Sequence, residues 1–248
     1  VARASGELLL FTDADCRPGP GWIGSMVARF APDVGLVAGY ARPDPGGSLL
    51  QRLLALDNLA VGALGAGALA QGVMLACTGR NLAYRRAVYE QLGGMAPIGH
   101  LIGGDDVYFA RRLAALTCWR STYNRDPAAV VACSPPPRGW RDALHQKLRH
   151  AGKAGHYRGP ALLLGVSVYA FHLLLGWTLL RAAAGTADAV GLAVWLAKAG
   201  LDTALLGAMA GAGELRLLPL IPLLELLYIP YVLLFTVAGR LDWFRWKE

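Results

Sequence analysis

Three stretches of this chain, about 161–180, 189–210 and 217–238, are almost pure Leu, Ala, Val and Gly. Each is near the roughly 20 apolar residues that a helix needs to cross hydrocarbon. They constrain the fold more than any other feature, because a water-soluble domain has no place for three such surfaces. Hydrophobic residues make up 55% of the chain, against roughly 45–50% in ordinary soluble domains, and the excess is concentrated here. The charges within 161–238 are few: Arg181, Asp188, Lys198, Asp202, Glu214, Arg216 and Glu225. Lys198 and Asp202 interrupt the middle stretch but stand four apart, a spacing that lets them pair on one helix face. Pro219, Pro222 and Pro230 predict kinks in the last stretch, which a helix bundle tolerates.

Residues 1–158 read differently, with charges throughout and short apolar runs between breakers. The apolar run 7–11 predicts a buried strand, followed by a loop at Arg17-Pro18-Gly19-Pro20-Gly21. A helix is expected over 22–30, a strand over 34–41 and a long helix of small residues over 48–70. A third strand is expected over 73–77, and a helix over 81–92 ended by Gly93-Gly94. A helix over 105–116 and short strands over 117–122 and 128–133 complete the pattern, which Pro135-Pro136-Pro137 terminates. Alternating strands and helices imply an α/β layer architecture. The fold class is therefore α/β followed by an α-helical transmembrane region. The expected divisions are an α/β domain over 1–137, a basic amphipathic interface helix over 138–158, and membrane helices with a basic tail over 159–248.

The formal net charge of +7 admits nucleic acid, anionic lipid or a phosphorylated substrate as partner. Its placement favours the membrane. Arg138, Arg141, Lys147, Arg149, Lys153 and Arg158 face only Asp142, just before the first apolar stretch, and membrane-adjacent cations mark the cytoplasmic side. No basic motif interleaved with aromatics points to nucleic acid. Four cysteines without CxxC spacing argue against a disulfide framework or zinc site and suit a reducing compartment. No signal peptide is read at residues 1–12. The expected location is the inner (cytoplasmic) membrane, multi-pass, with the α/β domain facing the cytoplasm. One conflict stands: three crossings put the C-terminus outside, whereas Arg240, Arg245 and Lys247 favour inside.

Four segments carry candidate chemistry. Asp13-Ala14-Asp15 follows a buried strand, where α/β sheets bind ligands. Paired carboxylates suit Mg2+ or Mn2+ held jointly with phosphates; the plain alternative is a solvated loop pair. Thr78-Gly79-Arg80-Asn81 offers a glycine turn for close backbone approach, or simply a capped helix start. Asp105 and Asp106 open a helix, where the dipole stabilises acids; either could instead serve as a general base. In Gln146-Lys147-Leu148-Arg149-His150, the planar cation Arg149 suits phosphate, or the segment is only a membrane-facing basic helix.

In this order the four segments resemble the family 2 glycosyltransferases of the GT-A fold, in their membrane-anchored bacterial branch. "SGELLLFTDADCRPGPGWI" resembles the metal-binding DxD segment, and "CTGRNLAYRRAVYEQLGG" the donor and acceptor floor. "GGDDVYFARRL" stands in place of the acidic catalytic-base motif, and "QKLRH" in place of Gln-x-x-Arg-Trp. The resemblance covers about residues 2–158 and implies a Rossmann-like mixed sheet. It implies a metal-dependent inverting transfer from a nucleotide-sugar donor to a lipid, lipid-linked or polysaccharide acceptor. Asp15 would ligate Mg2+ or Mn2+, and Asp13 would support the metal or donor contacts. Asp106 would be the base, with Asp105 beside it. Arg80, Asn81, Gln146, Arg149 and His150 would contact substrates. His150 replaces the tryptophan that lines the acceptor sugar in processive members, which weakens a claim of polymer synthesis and puts single-sugar transfer on a par with it, so processivity is not legible. The family's N-terminal nucleotide-binding half is expected before "ASGELLLF", so the chain reads as lacking it. The alternative is a non-catalytic membrane scaffold derived from such an enzyme. Donor sugar, acceptor, linkage and oligomeric state are not legible.

Overall fold

The computed structural model describes residues 1, 3–99, 104–152 and 160–238, with the side chains of 149–152, 160 and 161 excepted. The chain divides into two compact units. One comprises Val1–Pro45 and Asn58–Pro135, the other Gly46–Asp57 and Pro136–Glu248.

The first unit is mixed α/β. Its elements are β1 (Leu8–Phe11), β2 (Cys16–Pro18), α1 (Trp22–Val27), β3 (Val34–Gly39) and β4 (Ala41–Pro43), then the second half of α2 (Leu49–Ala70). They continue with β5 (Leu82–Arg85), α3 (Arg86–Gln91), α4 (Asp105–Leu116), β6 (Arg120–Asn124) and β7 (Val131–Cys133). One sheet has the order β1-β5-β3-β6 and a smaller one β2-β7-β4. Pairing is antiparallel except between β3 and β6 and between β4 and β7. β3 is buried at every position, which explains its unbroken apolar sequence. Leu36, Tyr84, Phe109 and Leu113 centre one core cluster, while Trp22, Met26, Val37 and Val131 centre the other.

Two expectations need correction here. Residues 73–77 form no strand, and the strand lies at Leu82–Arg85, where a helix was expected. The helix shrinks to Arg86–Gln91. A short apolar run does not separate the two states by periodicity. Here pairing decides: β5 is bonded to β1 on one edge and β3 on the other, burying Leu82, Ala83 and Tyr84. The expected loop at 17–21 also contributes β2, because Arg17 and Pro18 pair with Ala132 and Val131.

In the second unit, α2 begins with a reciprocal cap. Ser48 Oγ accepts from Gln51 N at 3.2 Å, and Gln51 Oε1 accepts from Ser48 N at 3.3 Å, the pattern of a capping box. Then come α5 (Trp140–Gly152), α6 (Pro160–Ala183) and α7 (Ala189–Met209), the last capped by Asp188 accepting from Gly191 N at 2.7 Å. The final apolar stretch is composite: a 3-10 turn over Leu215–Leu220, α8 (Ile221–Pro230), a π turn over Tyr231–Phe235 and α9 (Thr236–Ala238). Pro222 sits in the first turn of α8, where its missing N–H costs nothing. Pro230 stands where the ladder widens to π spacing, as expected when a proline removes a helical bond. Among the described residues, four helical stretches, α2 included, are long and apolar enough to cross a membrane.

Candidate active site

β1 ends beside β5, with Phe11 opposite Leu82. The chain beyond each strand end therefore emerges at the same edge of the sheet: Asp13 and Asp15 on one side, Gly79, Arg80 and Asn81 on the other. The aspartate loop is held by its backbone. Cys16 N donates to Asp13 O at 3.0 Å, and both Ser134 N and Ser134 Oγ donate to Asp15 O, at 3.1 and 3.2 Å. Both carboxylates are exposed. The Cys16 thiol lies 3.5 Å from Asp15 Oδ1.

The acids at the start of α4 join this edge. Gly104 precedes α4 at φ 82°, a left-handed conformation that glycine adopts without penalty. Asp106 Oδ2 accepts from Gly79 N at 2.8 Å, and its Oδ1 accepts from Val107 N at 2.8 Å. Asp105 is exposed and Asp106 half-buried. Asp13 is pushed above the ordinary aspartate value by burial first, then by Asp15; Arg80 opposes this, and Asp106 and Asp105 add to it. Asp13 thus shares this edge with Asp15, Asp105 and Asp106, and among the described residues Arg80 is the cation that acts on it.

Arg80 is fixed in place. Its Nη2 donates to Asn58 Oδ1 at 2.7 Å, and its Nε to Thr78 Oγ1 at 3.3 Å. Thr78 caps the 3-10 turn Gly79–Asn81, whereas α3, what remains of the helix that Asn81 is expected to cap, starts with no side-chain cap. Asn81 itself requires a further correction. It is fully buried, so the expected substrate contact gives way to an internal role. Its Oδ1 accepts from Trp22 Nε1 at 3.0 Å, while its Nδ2 donates to Tyr40 O at 2.9 Å and Ala129 O at 2.7 Å. Gly39 makes room for it, since a Cβ there would lie 2.6 Å from the Asn81 amide.

Gln146 is half-buried on α5, in the second unit. The side chains of Arg149 and His150 lie outside the described residues, as does Gly103 of the acidic motif. The sequence reading missed Asn58 and Ser134. Asn58 left a signal: with Asp57 it is the one polar pair between Leu53 and Ala70. Ser134 left none, because it acts through pairing of distant strands.

The donor set suits a hard divalent cation: exposed carboxylate oxygens in mutual repulsion. Among the described residues no three His, Cys, Asp or Glu side chains form a ready metal cage. Magnesium needs none, because it takes one or two carboxylates together with substrate phosphates and water.

Residues 1–247 match the family model described as Glycosyl transferase family 21. The chain belongs to that family and is a glycosyltransferase, an enzyme. The sequence pattern had pointed to a glycosyltransferase of family 2; the family shown is family 21. No curated protein matches the chain.

Proposed function

We propose that this glycosyltransferase moves a sugar, with inversion, from a nucleotide-sugar donor to a lipid, lipid-linked or glycan acceptor at a membrane. The observation that carries the reading is the gathering of Asp13, Asp15, Asp105 and Asp106 around Arg80 at one sheet edge. Such an edge repels anions unless cations are added, so it suits a diphosphate only together with a metal. Asp15, supported by Asp13, would hold Mg2+ or Mn2+. When bound, the ion supplies charge neutralisation to the donor diphosphate.

Asp106 is the proposed base. Two backbone N–H groups orient its carboxylate, and each oxygen keeps a further lone pair for a proton. The acceptor hydroxyl gives its proton to Asp106 as its oxygen bonds to the anomeric carbon. The bond from that carbon to the diphosphate oxygen breaks on the opposite face, and one displacement inverts the configuration. Arg80, braced by Asn58 and Thr78, stabilises the departing negative charge. Gln146 and Arg149 are proposed substrate contacts, with His150 at the acceptor, a residue as compatible with single-sugar transfer as with polymer synthesis. The long apolar helices α6, α7 and the 215–238 stretch fit a membrane anchor.

The test uses the protein in native membranes with radiolabelled UDP-, GDP- and dTDP-hexoses. Asp106→Asn is expected to lower kcat at least about a hundredfold, the scale of general-base catalysis, with donor KM little changed. Wild-type turnover by Asp106→Asn sinks the base assignment.

A further inference from the structure

We propose that Asp57, Lys147 and Tyr228 form a positioning network that fixes the rotation of α5, and with it helix positions 146 and 149. The inference rests on the reading of α5 as a substrate-contacting helix. In sequence, Lys147 belongs to a run of cations expected to face lipid headgroups. The second unit turns it inward. Trp140, Arg141, Leu144 and His145 are exposed, whereas Ala143, one turn before Lys147, is buried. The Lys147 ammonium pairs with Asp57 Oδ2 and lies 5.4 Å from the centroid of the Tyr231 ring. The other Asp57 oxygen accepts from the Tyr228 hydroxyl at 3.0 Å. Only 16% of the Lys147 side chain and 13% of the Asp57 side chain are exposed.

One carboxylate thus joins three helices: α2 supplies Asp57, α5 supplies Lys147, and the last apolar stretch supplies both tyrosines. A buried ion pair adds little stability over an apolar pair of similar volume, and its best-attested use is to set register. Geometry makes that use specific here. Successive helix positions differ by about 100°, so a slip of one residue would carry the ammonium away from the Asp57 carboxylate and leave both charges buried. Position 146 adjoins Lys147, and position 149 lies two residues on. Holding Lys147 therefore holds the helix phase of both.

The experiment compares the full chain with Lys147→Arg, the apolar pair Asp57→Leu/Lys147→Met, and Arg149→Ala. Melting temperature is measured alongside kcat and KM, with radiolabelled UDP-, GDP- and dTDP-hexoses as donors. The apolar pair, which also leaves the Tyr228 hydroxyl without its acceptor, is expected to melt within about 10 °C of the parent yet lose about tenfold or more in kcat/KM, mostly through donor KM, as displaced contact groups do. Lys147→Arg, which keeps the pair, should restore most of it. Parent kcat and KM in the apolar pair, while Arg149→Ala is impaired, would overturn the network and leave the reading of α5 standing. Parent kinetics in Arg149→Ala would overturn that reading, and the network's role with it.

Discussion

Replacing Asn81 tests whether its amide holds the interior together or meets substrate. Asn81→Ala deletes three hydrogen bonds in a fully buried setting. Their loss is not equal. The Tyr40 carbonyl also accepts from Val131 N at 3.0 Å and keeps that partner. The Trp22 indole N–H and the Ala129 carbonyl lose the side-chain partner that Asn81 gives them. A buried polar group left unsatisfied costs about 1–3 kcal/mol, so two cost about 4 kcal/mol. That is a large part of the roughly 5–15 kcal/mol that holds a native protein together. For a chain of this size it corresponds to a fall in Tm of about 8–16 °C. Asn81→Asp should be worse, because a carboxylate offers no donor to the Tyr40 and Ala129 carbonyls and is itself buried as a charge. The assay is a thermal melt followed by tryptophan fluorescence in detergent, with donor KM measured well below the transition. The expected result is a large fall in Tm with KM unchanged. A Tm within about 2 °C of the parent, together with a strongly raised donor KM, would refute the internal role and return Asn81 to the substrate.

Three further outcomes follow from the same edge of the sheet. Asp13 titrates above its ordinary value of 3.8, so the folded state holds that proton more tightly than the unfolded one. The stability this gives is fully present below pH 3.8 and is lost as pH rises through the raised value. Asp13→Asn should therefore raise Tm at pH 7, with the gain vanishing in acid; an equal gain at both extremes would contradict the shared-charge picture. Metal removal gives a second test. EDTA should abolish sugar transfer, Mg2+ or Mn2+ should restore it, and either ion should raise the Tm of the parent more than that of Asp15→Asn; transfer that survives chelation would exclude the proposed ion. Third, burial, followed by hydrogen bonding to Cys133, pushes the Cys16 thiol up to about 12. Its alkylation by iodoacetamide at pH 8, read by mass spectrometry, should trail that of the exposed Cys118 by a wide margin, since only thiolate reacts. Equal rates would show that the Cys16 pocket is open.

Local features were legible in the sequence where one element supplied all the partners. The strand before Asp13, the acids at the start of α4 and the Lys198–Asp202 pair at 2.6 Å all follow from spacing along the chain. Pairing between elements was not legible. β5 reads as helix until β1 and β3 flank it. Glu225 reads as one more charge in an apolar stretch until it meets Lys198 from another helix. Arg80 could be singled out by residue type, but the reason it stays fixed is Asn58, a residue in a run that otherwise reads as featureless. Asn81 shows the converse: a polar residue in a promising motif satisfied entirely by the chain's own interior.

Helix α2 differs in burial from the three later stretches that share its length and composition. By length and composition it ranks with the three later candidates, and the four together would remove the conflict posed by the basic tail. Burial sets it apart. Of its most apolar window 39% is buried inside the protein, against 11%, 6% and 22% for the other three. In its second half Leu59, Ala63, Ala66 and Leu69 are buried, and Leu69 belongs to the same core cluster as Leu36 and Phe109. Its first half buries Gln51 and Asp57, each with internal partners. Packing inside the protein thus accounts for part of the apolar composition of α2, while Leu49, Val61 and Leu64 stay exposed. α6 and α7, by contrast, leave Leu163, Leu180, Leu192 and Leu201 more than 60% exposed, a density of bare leucine that water would not tolerate and hydrocarbon would. By burial, the physical case for crossing is stronger for α6, α7 and the 215–238 stretch than for α2.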